Sequence, residues 1–375
     1  MARILLLGCG RIGYVTAMDL TEQGYEVTAI DKDKHKLKNV SRKLGIDYLV
    51  LDIPNNIYQL LSIATNYDIV TSALPGSISY RVIESLIRRG VDVVDVSYFS
   101  EDPWKLHELA LKSGSRVVVD AGLAPGISNA LVGHAHKILD GIKRCRIYVG
   151  GISKDPKVFL GMALTWSVED LVDEYLRPAR AIIDGEVKYL DPLSYTGSIN
   201  IPELGTFEYF VSDGLRTMIK SFRHLEELIE LTLRHPGHLS IMNVLRDLGL
   251  LSHEELRINN TIVRASKILA ELLKIKMSKY VEDVVILYIE ALGNKGERKY
   301  LLYQEYDYST GLTAMSRTTG FPLSIITHMT LENMIKSNGL IPPEVIGLDE
   351  NLYNYFIKEL SRRGIVIKEL HPRFQ

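Results

Sequence analysis

The chain has 375 residues, 46% of them hydrophobic and 24% charged, with 44 Lys and Arg against 46 Asp and Glu and a net charge of −2. This composition excludes a miniature domain and a mainly disordered chain, and it supplies no cationic field to gather nucleic acid or anionic lipid. The expected partner is therefore a small molecule. Two cysteines, Cys9 and Cys145, rule out a disulfide framework or a four-thiolate zinc site. The apolar run at the start of the chain is far shorter than the ~20 residues that span a bilayer, so the expectation is a cytoplasmic protein with no membrane segment. Glutamine is scarce (Gln23, Gln59, Gln304 and Gln375) beside abundant Glu, Lys and Arg, a bias of proteins from hot environments.

In chain order, Ile4 to Leu7, Glu26 to Ile30, Tyr48 to Leu51, Asp68 to Thr71, Val91 to Val96 and Arg116 to Val119 read as short apolar strands separated by amphipathic helices. Such alternation is the pattern of a parallel sheet covered on both faces. Residues 1–122 are thus expected to form a doubly wound α/β dinucleotide-binding (Rossmann) domain. From residue 123 to 319 the pattern changes to an α+β domain with a largely antiparallel sheet. Its clearest feature is a hairpin, Val281 to Leu292 and Arg298 to Tyr308, around Gly293-Asn294-Lys295-Gly296. Arg144 to Gly150 and Thr206 to Ser212 are further strand candidates. Beyond Phe321 the chain is expected to be helical, with Pro342-Pro343 opening a segment that runs to Arg363.

Gly8-Cys9-Gly10-Arg11-Ile12-Gly13 follows the first strand and opens a helix, the context in which G-x-G-x-x-G binds a dinucleotide pyrophosphate. Gly8 permits the turn, Gly10 admits the phosphates and Gly13 lets helix and strand pack, with Arg11 and Ile12 between them. Asp31, at the end of the second strand, can accept ribose hydroxyls and repel a 2′-phosphate, which favours NAD over NADP. Lys32, Lys34, Lys36 and Lys38 follow at once and could hold that phosphate, or form a solvated face. Ala73, Leu74 and Pro75 end the fourth strand beside the expected cofactor. Asp52 is a turn former or an adenine contact.

Asp120 to Asn129, the Val94 to Tyr98 strand end, Thr165 to Leu171, Glu174 to Arg180, Ser212 to Thr217 and Arg234 to His238, together with the glycine fingerprint, resemble the saccharopine dehydrogenase-like superfamily, with most similarity to its lysine 6-dehydrogenase branch. The resemblance implies that residues 320–375 return to complete the first domain and that two copies pair through the second. It also implies NAD-dependent oxidation of the ε-amino group of lysine, through an imine, to an aldehyde that cyclises. The branch has a tyrosine where this chain has Gly161 or Met162.

That chemistry needs a base, a hydride acceptor and anchors for a small amino-acid substrate. Asp120 and Tyr98, at strand ends, are the catalytic candidates; Asp120 is equally a turn carboxylate. Arg216, with Thr217 beside it, is suited to grip a carboxylate. Thr165, Trp166 and His238 are further substrate candidates, with core roles open to each. Gly122, Pro125 and Gly126 are candidate cofactor contacts. Arg177 and Arg180 read as ion-pair partners on one helix, and no metal set is expected. Two other readings stand: a saccharopine- or carboxynorspermidine-type reductase that joins an amine to a carbonyl, and a dinucleotide-binding protein without catalysis.

Overall fold

A computed structural model describes residues 2–277 and 280–370. The chain divides into two compact units, residues 1–134 with 316–365 and residues 135–315 with 366–375.

The first unit is built on seven parallel strands. Their order is Gly339–Ile341, Arg116–Val118, Val93–Asp95, Ile69–Ser72, Arg3–Leu7, Glu26–Asp31 and Asp47–Val50. Leu5, Leu7, Ile30, Val70, Val93 and Val117 are buried in its main apolar cluster. Nearly continuous apolar strands of this kind are stable only when both faces are covered. The strand order reverses beside Arg3–Leu7, and there the loops after Leu7 and Ser72 meet. A Cβ on Gly8 would lie 2.6 Å from the Ala73 carbonyl oxygen.

Two expectations need correction here. The sheet has a seventh strand, Gly339–Ile341, where six were expected; it pairs with Arg116–Val118 and is too short to show a period. The segment from Pro342 to Arg363 is two helices, Glu344–Leu348 and Glu350–Arg362. They are separated by Asp349, which is extended and caps the second helix by accepting the Asn351 and Leu352 N–H groups. His134 stacks on Tyr353 at 3.7 Å and Asn129 donates to Glu344, so both helices are held to the first unit.

The second unit contains a nine-stranded sheet. Its main path runs Thr196–Ile201, Gly205–Val211, Glu227–Arg234, Ile142–Ser153, Asp283–Gly293, Gly296–Glu305 and Ile367–Leu370. All neighbours are antiparallel except Glu227–Arg234 against Ile142–Ser153. The expected hairpin is present, with Gly293 paired to Gly296 across its turn. Ala179–Ile183 and Glu186–Leu190 add a side hairpin. Ile367–Leu370 pairs with Gly296–Glu305, so among the described residues the return to the first unit ends at residue 365. Residues 371–375 lie outside the described residues.

Candidate functional site

The glycine fingerprint falls between Leu7 and the helix Arg11–Glu22. Gly8 has φ +86°, and a Cβ on Gly13 would stand 2.0 Å from the Gly8 carbonyl oxygen. Both glycines are therefore demanded by the protein's own packing. Gly10 is different. Its φ of −73° suits any residue, and a Cβ there would meet nothing within 4 Å. The fold does not require a glycine at this position. The space left in front of a helix N-terminus is what a pyrophosphate would occupy, so the residues fit a dinucleotide. Cys9 is 1% exposed, and burial pushes its thiol up to about 12, which makes it an inert part of the turn.

Asp31 ends its strand as expected, but its carboxylate is already engaged. One oxygen accepts the Cys9 N–H at 2.9 Å, the other accepts the Asp33 N–H at 2.9 Å, and the Lys36 ammonium lies 3.6 Å away. Lys32 and Lys34 are exposed beside it. Asp52 stands just before a short 3-10 turn and its carboxylate accepts from the Asn55 side-chain amide, which fits the turn-forming alternative. Ala73 and Leu74 form the loop beside Gly8, and Pro75 precedes the helix Gly76–Ile87.

Tyr98 and Asp120 follow neighbouring strands, Val93–Asp95 and Arg116–Val118. Tyr98 is half-buried, and its carbonyl packs where a Cβ on Gly76 would be, 2.2 Å away. Asp120 is 1% exposed and adopts φ +59°, a left-handed conformation uncommon for a non-glycine residue. Retained strain of that kind clusters at functional sites. The following loop closes on itself. Ile127 N–H donates to Gly122, and a Cβ on Gly126 would lie 2.0 Å from the Gly122 carbonyl oxygen, so both glycines have internal reasons to be there. Pro125 forms a cis bond with Ala124, and Asn129 accepts from the Gly126 N–H.

Sequence reasoning passed over Asp95. It is fully buried and accepts from the Ser79 hydroxyl at 2.9 Å and from the Ser97 N–H and hydroxyl at 2.9 and 2.7 Å. Burial raises its pKa against the pull of these donors. The cluster fixes the start of the Tyr98 loop to the helix that begins at Gly76.

In the second unit, Arg216 is 1% exposed with φ +45°, and Thr217 is fully buried at the start of the short helix Met218–Ser221. The preceding turn is held by Asp213, which accepts the Arg180 Nε–H at 2.7 Å and Nη2–H at 2.9 Å. Arg180 lies on the strand Ala179–Ile183, because the helix with its acidic residues stops at Asp173. The expectation of Arg177 and Arg180 on one helix is thus corrected: only Arg177 keeps an i, i+4 partner, Asp173. Thr165 is 2% exposed, and Trp166 packs half-buried against the apolar core of this unit.

His238, a substrate candidate with a core role open to it, takes the core role in a buried relay. Its Nδ1 lies 2.9 Å from the Leu160 carbonyl and so must carry the proton, which leaves Nε2 to accept the Tyr175 hydroxyl at 2.8 Å. Tyr175 in turn accepts the Arg234 Nε–H, while Arg234 Nη2 donates to Glu174 at 2.7 Å. Both ring nitrogens are used, so none is left for a substrate. Burial, and then the Arg234 charge, lower the imidazole to about 3 and keep it neutral. Burial raises Asp170 to about 6. The structure also explains the missing tyrosine. Gly161 has φ +60°, with its Cβ position 2.9 Å from the His235 ring, and Met162 is a core residue. Among the described residues no group of His, Cys, Asp or Glu could hold a metal, and no helix is long and apolar enough to cross a membrane.

Comparison with known proteins defines the class. The model of the saccharopine dehydrogenase C-terminal domain matches residues 122–365, and that of the saccharopine dehydrogenase NADP binding domain matches residues 4–118. The chain belongs to the saccharopine dehydrogenase family. A saccharopine dehydrogenase [NADP(+), L-glutamate-forming] of Pyricularia oryzae is 27% identical over 67% of this chain and 58% of its own length. Its namesake from Saccharomyces cerevisiae is 21% identical over 98% of both chains. A solved structure of apo saccharopine dehydrogenase (L-Glu forming) from Saccharomyces cerevisiae, 21% identical, superposes with a TM-score of 0.80 over 99% of each chain, which establishes the shared fold. Mouse α-aminoadipic semialdehyde synthase is 20% identical, and this chain spans 47% of its length.

Proposed function

We propose that this chain is an NADP-dependent oxidoreductase of the saccharopine type. It oxidises the C–N bond of a secondary amine that links two amino-acid portions; water then splits the imine into L-glutamate and a semialdehyde, and the reverse reaction joins them. The observation that carries this reading is the end-to-end correspondence with the yeast relative named as L-glutamate-forming. Lysine deamination, expected from the sequence, has weaker support, because the relatives reported above carry saccharopine or semialdehyde-synthase names.

The dinucleotide accepts a hydride when bound. Gly8, Gly10 and Gly13 would receive its pyrophosphate, with Ala73 to Pro75 alongside. NADP is preferred to NAD, which reverses the expectation. The Pyricularia and yeast relatives carry NADP(+) in their names, and the Asp31 charge is offset by two N–H donors and Lys36, with Lys32 and Lys34 free to meet a phosphate. Arg216 would grip a substrate carboxylate, and Asp120 or Tyr98 would manage the amine proton.

The test is reduction of NADP⁺ and NAD⁺ by the purified protein with saccharopine, and separately with L-lysine, followed by assay for glutamate. Saccharopine with NADP⁺ should give reduced nicotinamide and glutamate in equal amounts. Turnover of lysine alone would overturn this reading in favour of deamination. Dinucleotide binding with no turnover of either would favour a non-catalytic protein.

A further inference from the structure

We propose that Asp213 and Glu230 are positioning residues that fix the guanidinium of Arg216 for carboxylate recognition; this rests on the reading of Arg216 as the substrate anchor. The turn Ser212 to Thr217 is secured from two sides. On one side Asp213 forms a two-pronged ion pair with Arg180, at 2.7 and 2.9 Å, and also accepts the Arg180 backbone N–H at 3.0 Å. The pair is almost out of solvent, with 15% of the Arg180 and 5% of the Asp213 side chain exposed. Its charges satisfy one another, so Asp213 is spent on holding the turn.

On the other side Glu230 projects from the strand Glu227–Arg234. Its backbone carbonyl accepts the Ser212 N–H at 3.0 Å, and its Oε1 accepts the Ser212 hydroxyl at 3.2 Å. A Cβ on Gly214 would stand 1.6 Å from that same Oε1, so the carboxylate lies flat against the glycine backbone. The strand bearing Arg180 is itself paired to the one bearing Glu230, Ile182 to Leu228 and Ile183 to Glu227. Both clamps therefore belong to one rigid ladder.

The clamped turn delivers Arg216 in a conformation that a free chain would avoid, φ +45°. Leu215 is fully buried and its carbonyl accepts the Met218 N–H, which closes the far end. A carboxylate is recognised by a guanidinium through two parallel hydrogen bonds, and that fork tolerates little rotation. Fixing the backbone on either side of Arg216 is the means by which a long, flexible side chain presents one orientation.

The test is a double-mutant cycle on the full chain with saccharopine and NADP⁺. Asp213→Asn should raise KM for saccharopine about tenfold, the worth of one charge-assisted hydrogen bond, while kcat changes less than about threefold and dinucleotide affinity stays the same. Arg180→Gln should reproduce this from the other partner. In an Arg216→Ala background, Asp213→Asn should raise KM no further, because its effect passes through the missing guanidinium. Multiplying effects would overturn the proposal, as would a fall in kcat alone. A crystal structure of the Asp213→Asn protein gives a readout independent of substrate: residue 216 should leave its left-handed conformation, and an unchanged turn would overturn the proposal. If the wild-type protein does not act on saccharopine, the functional reading fails, and the crystal structure alone decides the clamp. Arg216→Ala with unchanged KM would remove the anchor and the clamp together.

Discussion

Gly13 stands so close to Gly8 that any side chain on it would overlap the Gly8 carbonyl, at 2.0 Å, whereas Gly10 three residues earlier faces empty space. One fingerprint thus contains glycines of two kinds. Gly13→Ala should push the helix away from the strand and cost about 2–3 kcal/mol, visible as a lowered Tm. Gly10→Val should keep the wild-type Tm and lose dinucleotide binding by calorimetry. Equal loss of Tm in both variants would contradict the distinction.

Asp31 holds two N–H donors and so shapes the loop; under the proposed function it also faces the ribose. Asp31→Ser should weaken NADH binding and leave NADPH binding as it was or tighter, widening the ratio of the two Kd values about tenfold. Fluorescence titration measures both. An unchanged ratio would mean that the carboxylate meets only its own loop.

Under the proposed function, Arg216→Ala removes a charge-assisted, two-pronged contact with the substrate carboxylate. Saccharopine kcat/KM should fall roughly 30- to 150-fold, corresponding to about 2–3 kcal/mol, with dinucleotide affinity preserved. Full activity in this variant would exclude Arg216 from the site.

Two groups, the half-buried Asp170 and the buried His238, give stability opposite slopes with pH. Asp170 titrates near 6 in the fold against 3.8 ordinarily, so in that window the folded state holds the extra proton and stability falls as pH rises. Asp170→Asn should therefore stabilise the protein at neutral pH, by about 2–3 kcal/mol, and the gain should vanish below about pH 4. His238 is lowered to about 3 from 6.5, so the unfolded chain takes up the proton first and stability is lost as pH falls below 6.5. The advantage of the wild type over His238→Gln should shrink on acidification. Urea unfolding across this range separates the two. A Asp170→Asn gain independent of pH would refute the assignment.

The first unit was readable because its signals are local. Ile4 to Leu7 and Glu26 to Ile30 are apolar runs within one residue of the strands observed, and the glycines lie side by side in sequence. Gly339–Ile341 escaped because three residues carry no period and become a strand only beside Arg116–Val118. The polar networks of the second unit escaped for a related reason. Arg180 finds Asp213 at a separation of 33 residues, and His238 finds Tyr175 at 63 and Leu160 at 78. Spacing in the sequence instead suggested nearer partners for Arg180 and left His238 between a substrate contact and a core role.

The late arrival of Gly339–Ile341 bears on how the chain comes off the ribosome. The stretch ending at residue 134 emerges well before the segment 316–365, and until that segment has been made the edge at Arg116–Val118 stays uncovered. Most of the second unit, the continuous stretch 135–315, emerges in the interval. An open strand edge on a nascent chain invites pairing with its neighbours on the same message. Fragments that stop after residue 134 should for that reason be prone to aggregate, and a protein made slowly through 135–315 should depend on chaperones that shield the first unit while it waits for its last strand.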